Sequence, residues 1–226
     1  MKKNNLDFIV AGIQKSGTTM LSAYLLQNDQ LFIPVEKELP FFLKKKIDQN
    51  NWNNFLENYF YKARNDQLWG TVTPQYTIYP HTFKKINKKF PKVKIIIIYR
   101  DPINRFISHY DMMVRFKKEK RNINKVIKDQ IKNIKSLRKS YNKYPTDDYI
   151  SIGEYFRLNK YLKIFPKKNV LKISFDEFKL KPKKTLKRIS KFLKIKNNFY
   201  YSSKIIMPGG KKKLLDIDHD KIFKKI

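Results

Sequence analysis

Cysteine is absent from the 226-residue chain. Disulfide bonds, thiolate catalysis and zinc sites with cysteine ligands are therefore excluded. The three histidines, His81, His109 and His219, are far apart in the sequence and form no metal-binding motif, so we expect no metal cofactor. Long apolar runs are also missing, because the run over residues 8–13 is too short for a transmembrane helix or a signal peptide. We therefore expect a cytoplasmic protein without a membrane span.

Acidic residues are few in this sequence. Asp and Glu total 19 against 51 Lys and Arg, which gives a formal net charge of +32. Such a charge favours polyanionic partners, whether nucleic acid, an anionic membrane surface or an acidic substrate. A composition rich in Lys, Asn and Ile produces the same excess without any selection for a partner, so the charge alone identifies no function.

The length and the apolar content are sufficient for one folded domain. Hydrophobic residues make up 41% of the chain and aromatic residues 15%, which excludes disorder throughout. A chain of 226 residues fits a single domain. We predict one domain over residues 1–226, with a polar helical insertion around residues 117–150 that carries spaced isoleucines.

Apolar strands alternate with amphipathic helices along the chain. We predict strands at 6–11, 68–71, 93–99 and 169–175. The helices are predicted at 17–28, 52–61, 79–90, from Pro102, from a capping box at Ser151 to about Phe165, and from Pro182. Strand–helix alternation favours a parallel sheet with right-handed crossovers. The predicted fold class is α/β, with a P-loop-like parallel sheet flanked by helices.

A glycine-bounded loop follows the first predicted strand and reads Gly12-Ile13-Gln14-Lys15-Ser16-Gly17-Thr18-Thr19. Loop N–H groups and a helix N-terminus together form an anion-binding site. The glycine spacing matches the beginning of a Walker A loop, but that motif has lysine where this chain has Thr18. Lys15 lies earlier in the loop, so we expect it to meet a shorter anion, close to a 5′-phosphate and its substituent.

A second polar segment follows the strand predicted at 93–99. Arg100 stands at the strand end, and Ser108 follows eight residues later, about two turns into the next helix. A guanidinium and a hydroxyl suit a phosphate group; alternatively, Arg100 pairs with Asp101 and Ser108 is ordinary helix surface. Ligands of parallel sheets bind beyond the carboxyl ends of the strands. Two anion sites at neighbouring strand ends predict a nucleotide with phosphate at both ends.

The two loops together resemble the nucleotide-binding segments of sulfotransferases that use 3′-phosphoadenosine 5′-phosphosulfate (PAPS). The first is similar to their 5′-phosphosulfate loop and the second to their 3′-phosphate segment. Residues 34–42 resemble a Lys-Glu…Phe-Phe segment of the heparan-sulfate-type carbohydrate branch, and residues 153–193 resemble the later family core. The likeness spans roughly residues 6–195 and implies the sulfotransferase fold. One departure is Val72, which stands where carbohydrate members often have lysine.

The resemblance implies roles for individual residues. It implies that Glu38 is the catalytic base, that Lys37 is its catalytic neighbour, and that Lys15 contacts the 5′-phosphosulfate. Alternatively, Glu38 is a surface acid beside a Pro-Phe-Phe core run. The other implied cofactor-binding residues fall into three groups. The 5′-phosphate is held by Ser16, Gly17, Thr18 and Thr19, and the 3′-phosphate by Arg100 and Ser108. A basic loop with Lys211 and Lys212 covers the cofactor.

The sequence therefore predicts a sulfotransferase that moves a sulfuryl group from PAPS to a hydroxyl or amine, without a metal. A carbohydrate is the expected acceptor, and the basic charge suits an acidic saccharide, although lipid, small-molecule and peptide acceptors stay open. One alternative is a P-loop nucleotide or small-molecule kinase, which would need ATP and Mg²⁺. Another is a basic nucleic-acid-binding module with steep salt dependence; we expect no specific nucleic-acid partner.

Overall fold

A parallel β-sheet forms the centre of the molecule. The computed structural model describes residues 3–36, 38–139 and 148–201. Within these ranges the strands β1 to β5 are Phe8–Gly12, Leu31–Phe32, Leu68–Val72, Lys94–Tyr99 and Val170–Ser174. Their order in the sheet is β2-β3-β1-β4-β5, and every pairing is parallel. The predicted α/β fold is confirmed, and β1 and β4 are neighbours, so the two polar loops leave adjacent strand ends.

Helices cover both faces of this sheet. In the described part of the chain the helices α1 to α9 are Thr18–Leu25, Gln49–Tyr59, Gln75–Ile78, Thr82–Lys89, Pro102–Arg115, Ile123–Lys139, Tyr155–Leu162, Phe175–Leu180 and Pro182–Leu193. Short 3₁₀ turns lie at Phe41–Leu43, Ser151–Gly153 and Lys167–Asn169. The short helices α3 and α8 were not predicted from the sequence, because segments of four and six residues are too short to show an apolar period.

The central strands are apolar on both faces because each face packs against helices. In β1, Phe8 and Val10 belong to the core that includes α1, α8 and α9, whereas Ile9 belongs to the opposite core. The opposite core is aromatic and centres on the fully buried Trp52 of α2. Continuous apolar runs are typical of strands buried on both faces of a parallel sheet, which explains why the sequence located β1 and β4.

A third apolar cluster joins α5 to α6. Its members are Phe106, Tyr110 and Met113 of α5, Val126 and Ile127 of α6, and Tyr149 and Ile150. The polar stretch around residues 117–150 thus includes a helix that packs on α5 through its spaced apolar residues. That this stretch is an insertion into a single domain stays a prediction.

The predicted capping box at Ser151 is wrong. Ser151 begins the 3₁₀ turn Ser151–Gly153, and α7 starts only at Tyr155. The capping acceptor is Asp148, whose Oδ1 accepts the Ser151 N–H at 2.7 Å and whose Oδ2 accepts the Ser151 hydroxyl. Asp and Ser are both good capping residues. Here Asp148 caps the turn that begins at Ser151, so Ser151 does not cap a helix.

Candidate active site

The first loop leaves the carboxyl end of β1 and leads directly into α1. The Ile13 N–H donates to the Ile98 carbonyl of β4 at 2.6 Å, which joins the loop to the neighbouring strand. Gly17 is the N-cap of α1 and provides no side-chain cap, so the first N–H groups of the helix stay available to a ligand. The hydroxyl of Ser16 is buried and has no partner among the described residues. These features fit an anion site.

Both glycines of this loop have positive φ and stand against neighbouring residues. Gly12 has φ 126°, and a Cβ there would lie 2.7 Å from Thr77 Oγ1. Gly17 has φ 90°, and its Cβ would lie 2.2 Å from the ring of Phe175. The backbone conformation and the close approach together require glycine at these two positions.

Replacing Gly17 with alanine is expected to destabilise the fold by about 1–3 kcal/mol through backbone strain, and by more where the Phe175 ring must shift. Thermal unfolding of the purified variant measures this loss. Adding Phe175→Leu should recover part of the stability, because a smaller side chain relieves the contact without altering φ. An alanine variant as stable as the wild type would contradict the conformation described for this loop.

Arg100 joins the second polar segment to the first loop. Its Nη1 donates to the Lys15 carbonyl at 3.4 Å, and its Cζ lies 4.9 Å from the centre of the Phe175 ring. The Nε atom is buried without a partner in the described part of the chain. Asp101 caps α5 by accepting the Asn104 N–H at 2.8 Å, and no described carboxylate lies within ion-pair distance of Arg100. The guanidinium therefore keeps donors free for a phosphate.

Lys15 lies in a cluster of positive charge. Partial burial lowers the pKa of Lys15, and the nearby Arg115, Arg100 and Arg105 lower it further, whereas Asp111 opposes this shift. Mutually repelling cations at one place are typical of a site that receives an anion. Ser108 lies on α5, three residues after Arg105, and is half-buried. The structure thus brings Lys15 and Arg100 together and places Ser108 on the helix between Arg105 and Arg115.

Glu38 is held at the carboxyl end of β3, the strand beside β1. Its N–H donates to the carbonyl of Val72, the last residue of β3, at 3.1 Å, and its φ is 64°. Gln75 donates through Nε2 to Glu38 Oε2 at 2.5 Å. The carboxylate is exposed. Pro74, the residue before Gln75, lies against the first loop, because a Cβ on Gly12 would lie 3.0 Å from the Pro74 carbonyl oxygen.

Three of the predicted site residues, Lys37, Lys211 and Lys212, lie outside the described residues. Others belong to the loop described above: Thr18 is buried in the first turn of α1, and Thr19 beside it is exposed.

Sequence reasoning missed several residues that the fold brings to this region. These are Phe175, which packs on Gly17 and Arg100; Gln75, which binds Glu38; and Arg105 and Arg115 on α5. His109 of α5 was also missed; burial and the charges of Arg105 and Lys15 lower its pKa to about 2, so it is neutral. The spacing of α5 contained a signal for Arg105 and His109, because helical residues three or four apart share a face. Arg105 lies three residues before Ser108, and His109 lies four residues after Arg105.

The described residues contain neither a metal site nor a membrane-spanning helix. Over residues 3–36, 38–139 and 148–201, no group of three or more His, Asp or Glu side chains is arranged to hold a metal ion. None of the helices described has both the length and the apolar content to cross a bilayer.

Sequence comparison identifies a family. A sulfotransferase domain model matches residues 5–225 of the chain. The membrane-associated sulfotransferase kil1 of Dictyostelium discoideum is 30% identical over 112 residues, which cover 50% of this chain and 24% of that protein. The match thus spans less than a quarter of the length of this curated relative.

Structure comparison agrees with the sequence match. The crystal structure of a sulfotransferase from Alicyclobacillus acidocaldarius is similar to this chain with a TM-score of 0.75 and 25% identity, over 90% of this chain and 87% of that one. Mouse sulfotransferase SULT7A1, solved as a complex with PAP, has a TM-score of 0.53 at 19% identity, over 91% of this chain and 63% of that one. The second likeness supports the fold alone.

Proposed function

The chain belongs to the sulfotransferase domain family, and from that premise we propose that it transfers the sulfuryl group of PAPS to an acceptor hydroxyl or amine. The observation that carries the proposal is the hydrogen bond from Arg100 to the Lys15 carbonyl. It joins the loops after β1 and β4, and we refer to the region between Lys15 and Arg100 as the cleft. A nucleotide with phosphate on both its 5′ and 3′ sides needs two such anion sites within one molecule's length.

The unpartnered polar atoms of the cleft fit this donor. The buried Ser16 hydroxyl and the first N–H groups of α1 would hold the 5′-phosphate, with Gly17, Thr18 and Thr19. Arg100, whose Nε is buried without a described partner, would hold the 3′-phosphate together with Ser108. Mouse SULT7A1, which has a similar fold, was solved with PAP. Lys211 and Lys212 would cover the nucleotide.

The catalytic roles fall to groups on either side of the cleft. When bound, PAPS supplies an activated sulfuryl group. Lys15 would place positive charge beside the 5′-phosphate, where negative charge grows as the acceptor–sulfur bond forms and the bond from sulfur to the bridging phosphate oxygen breaks. Glu38, oriented by Gln75, would take the proton of the acceptor. The resemblance to the family also implies a catalytic role for Lys37.

A carbohydrate, and in particular an acidic saccharide, is the proposed acceptor. Arg115 is exposed on α5 and lies within electrostatic range of Lys15, so it can attract a carboxylate or sulfate on the acceptor. The formal charge of +32 acts in the same direction. The Lys-Glu…Phe-Phe segment supports assignment to the heparan-sulfate-type branch.

A cytoplasmic location stays a prediction, and kil1 is named as membrane-associated.

A P-loop kinase is not favoured. Thr18 occupies the place of the Walker lysine. The apolar strand β4 ends at Tyr99 and is followed by Arg100, without the strand-end Asp that would hold Mg²⁺. The family match is to sulfotransferases.

Nucleotide binding separates these functions. We expect adenosine 3′,5′-bisphosphate to bind more tightly than ADP with Mg²⁺ in isothermal titration calorimetry. Replacing Arg100 with glutamine should lower the affinity for the bisphosphate by about 10–100-fold, since a charge-assisted contact is lost. Adenosine 5′-monophosphate, which lacks the 3′-phosphate, should lose much less affinity in the variant than the bisphosphate does. Equal affinity of the wild type for the bisphosphate and the monophosphate would exclude a 3′-phosphate site.

Transfer itself is tested with labelled PAPS and a panel of acceptors. We expect label to enter acidic oligosaccharides more than their neutral counterparts. Transfer to lipids or phenols alone would reject the carbohydrate proposal but keep the sulfotransferase assignment. Absence of transfer to every acceptor class, together with transfer of phosphate from ATP, would support the kinase.

A further inference from the structure

Arg105 is a buried cation that the proposed chemistry has not used. It lies in the first turn of α5, and its side chain is 1% exposed. Both terminal nitrogens, Nη1 and Nη2, are buried without an acceptor among the described residues. Arginine is almost never fully buried unless it is paired, because removing its charge from water is costly.

The surroundings of Arg105 enclose the guanidinium but leave its charge incompletely neutralised. A Cβ on Gly153 would lie 2.0 Å from Arg105 Nε, so the turn Ser151–Gly153 packs directly on the side chain. Asp148 is a nearby carboxylate that favours the charged form, but its oxygens accept the N–H and hydroxyl of Ser151. Burial lowers the pKa of Arg105 to about 10, and the group stays charged at neutral pH.

The charge of Arg105 interacts electrostatically with the residues of the nucleotide site. Arg105 lowers the pKa of Lys15 and of His109, and Arg100 lowers that of Arg105 in turn. Lys15, Arg100 and Arg105 therefore raise one another's free energy while no anion is bound beside them. An anion held by Lys15 and Arg100 relieves this repulsion even where it does not touch Arg105.

We propose that Arg105 is a positioning residue of the nucleotide site, a buried guanidinium that attracts the anionic nucleotide through its field rather than by direct contact. The proposal rests on the function proposed above, in which the ligand carries phosphate on both sides. Because the guanidinium is enclosed, its contribution is expected to grow with the charge of the ligand, whereas the contribution of a contact residue such as Arg100 follows a single phosphate group.

Ligands of graded charge test this mechanism. We would titrate wild type, Arg105→Met and Arg105→Lys with adenosine 3′,5′-bisphosphate, adenosine 5′-monophosphate and adenosine. The methionine variant should bind the bisphosphate about tenfold or more weakly, the monophosphate with a smaller loss and adenosine unchanged. The lysine variant should keep most of the affinity. Arg64→Met is the matched control, since Arg64 is an exposed arginine paired with Asp66 before β3, at the opposite edge of the sheet.

A second variant tests the same field with the opposite sign and without altering Arg105. Asp148→Asn removes a compensating charge but keeps the oxygen that accepts the Ser151 N–H. This variant should bind the bisphosphate several-fold more tightly, and adenosine as before. Unchanged or weaker bisphosphate binding in Asp148→Asn, or an equal loss for all three ligands in Arg105→Met, would overturn the proposal. If the wild type itself showed no preference for the bisphosphate, the proposed function would fail instead.

Discussion

Replacing Lys15 with methionine is expected to lower the rate of sulfuryl transfer by about 10²–10³-fold, the usual cost of removing one preorganised donor from a transition state. Methionine keeps the length and the apolar body of the side chain but has no charge. The affinity for adenosine 3′,5′-bisphosphate should change far less, because Arg100, Ser108 and the loop N–H groups remain. Single-turnover rates with labelled PAPS, measured beside bisphosphate titrations, separate the two effects.

The pH dependence offers a second test of Lys15. Burial and neighbouring arginines lower the pKa of Lys15, so its proton is lost at a lower pH than that of an exposed lysine. The kcat/KM profile of the wild type should therefore fall on the alkaline side below the ordinary lysine range. Lys15→Arg should move that fall to higher pH, since arginine stays charged, and Lys15→Met should abolish it.

Lys92 provides the control for the loss of one positive charge. It is an exposed lysine in the turn before β4, at the edge of the sheet opposite to the cleft. Lys92→Met should transfer at the wild-type rate. If Lys15→Met also kept the full rate, the charge in the first loop would have no part in the chemistry.

Much of the fold was predictable from the sequence because its signals are local. The apolar runs of β1 and β4, and the prolines that begin α5 and α9, mark these elements without any long-range information. Strand–helix alternation predicted a parallel sheet with both loops at the carboxyl ends of their strands, and the strand order of the structure then places β1 beside β4. The sulfotransferase fold was predicted from the resemblance of the residues at these strand ends to the nucleotide-binding segments of the family.

The parts that could not be predicted depend on contacts between distant residues. The Glu38–Gln75 hydrogen bond joins residues 37 apart in the chain. The burial of Arg105 arises where the turn at Gly153 covers α5. The role of Phe175 depends on β5 lying beside β4, which places its ring on Arg100. A periodic pattern shows which face of an element is apolar but not which polar side chain a neighbouring loop will cover.

Replacing Glu38 with glutamine is expected to lower the transfer rate by about 10²–10⁴-fold, the range for removal of a general base. Glutamine has nearly the same shape and keeps an oxygen that can accept from Gln75, but it cannot take a proton at neutral pH. Binding of adenosine 3′,5′-bisphosphate should be unchanged, because Glu38 lies at the end of β3 and outside the two anion sites. Transfer rates at saturating PAPS and acceptor measure the effect on the chemical step.

Variants of Gln75 test whether its hydrogen bond to the Glu38 carboxylate contributes to catalysis. Gln75→Leu removes the donor at similar volume and should lower kcat about tenfold, the cost of one hydrogen bond to a charged group. Since Gln75 acts through Glu38, the double variant should be no slower than Glu38→Gln alone, whereas independent roles would multiply the two losses. A Glu38→Gln variant that transfers at the wild-type rate would leave Glu38 as a surface acid, and the acceptor's proton would then need another base.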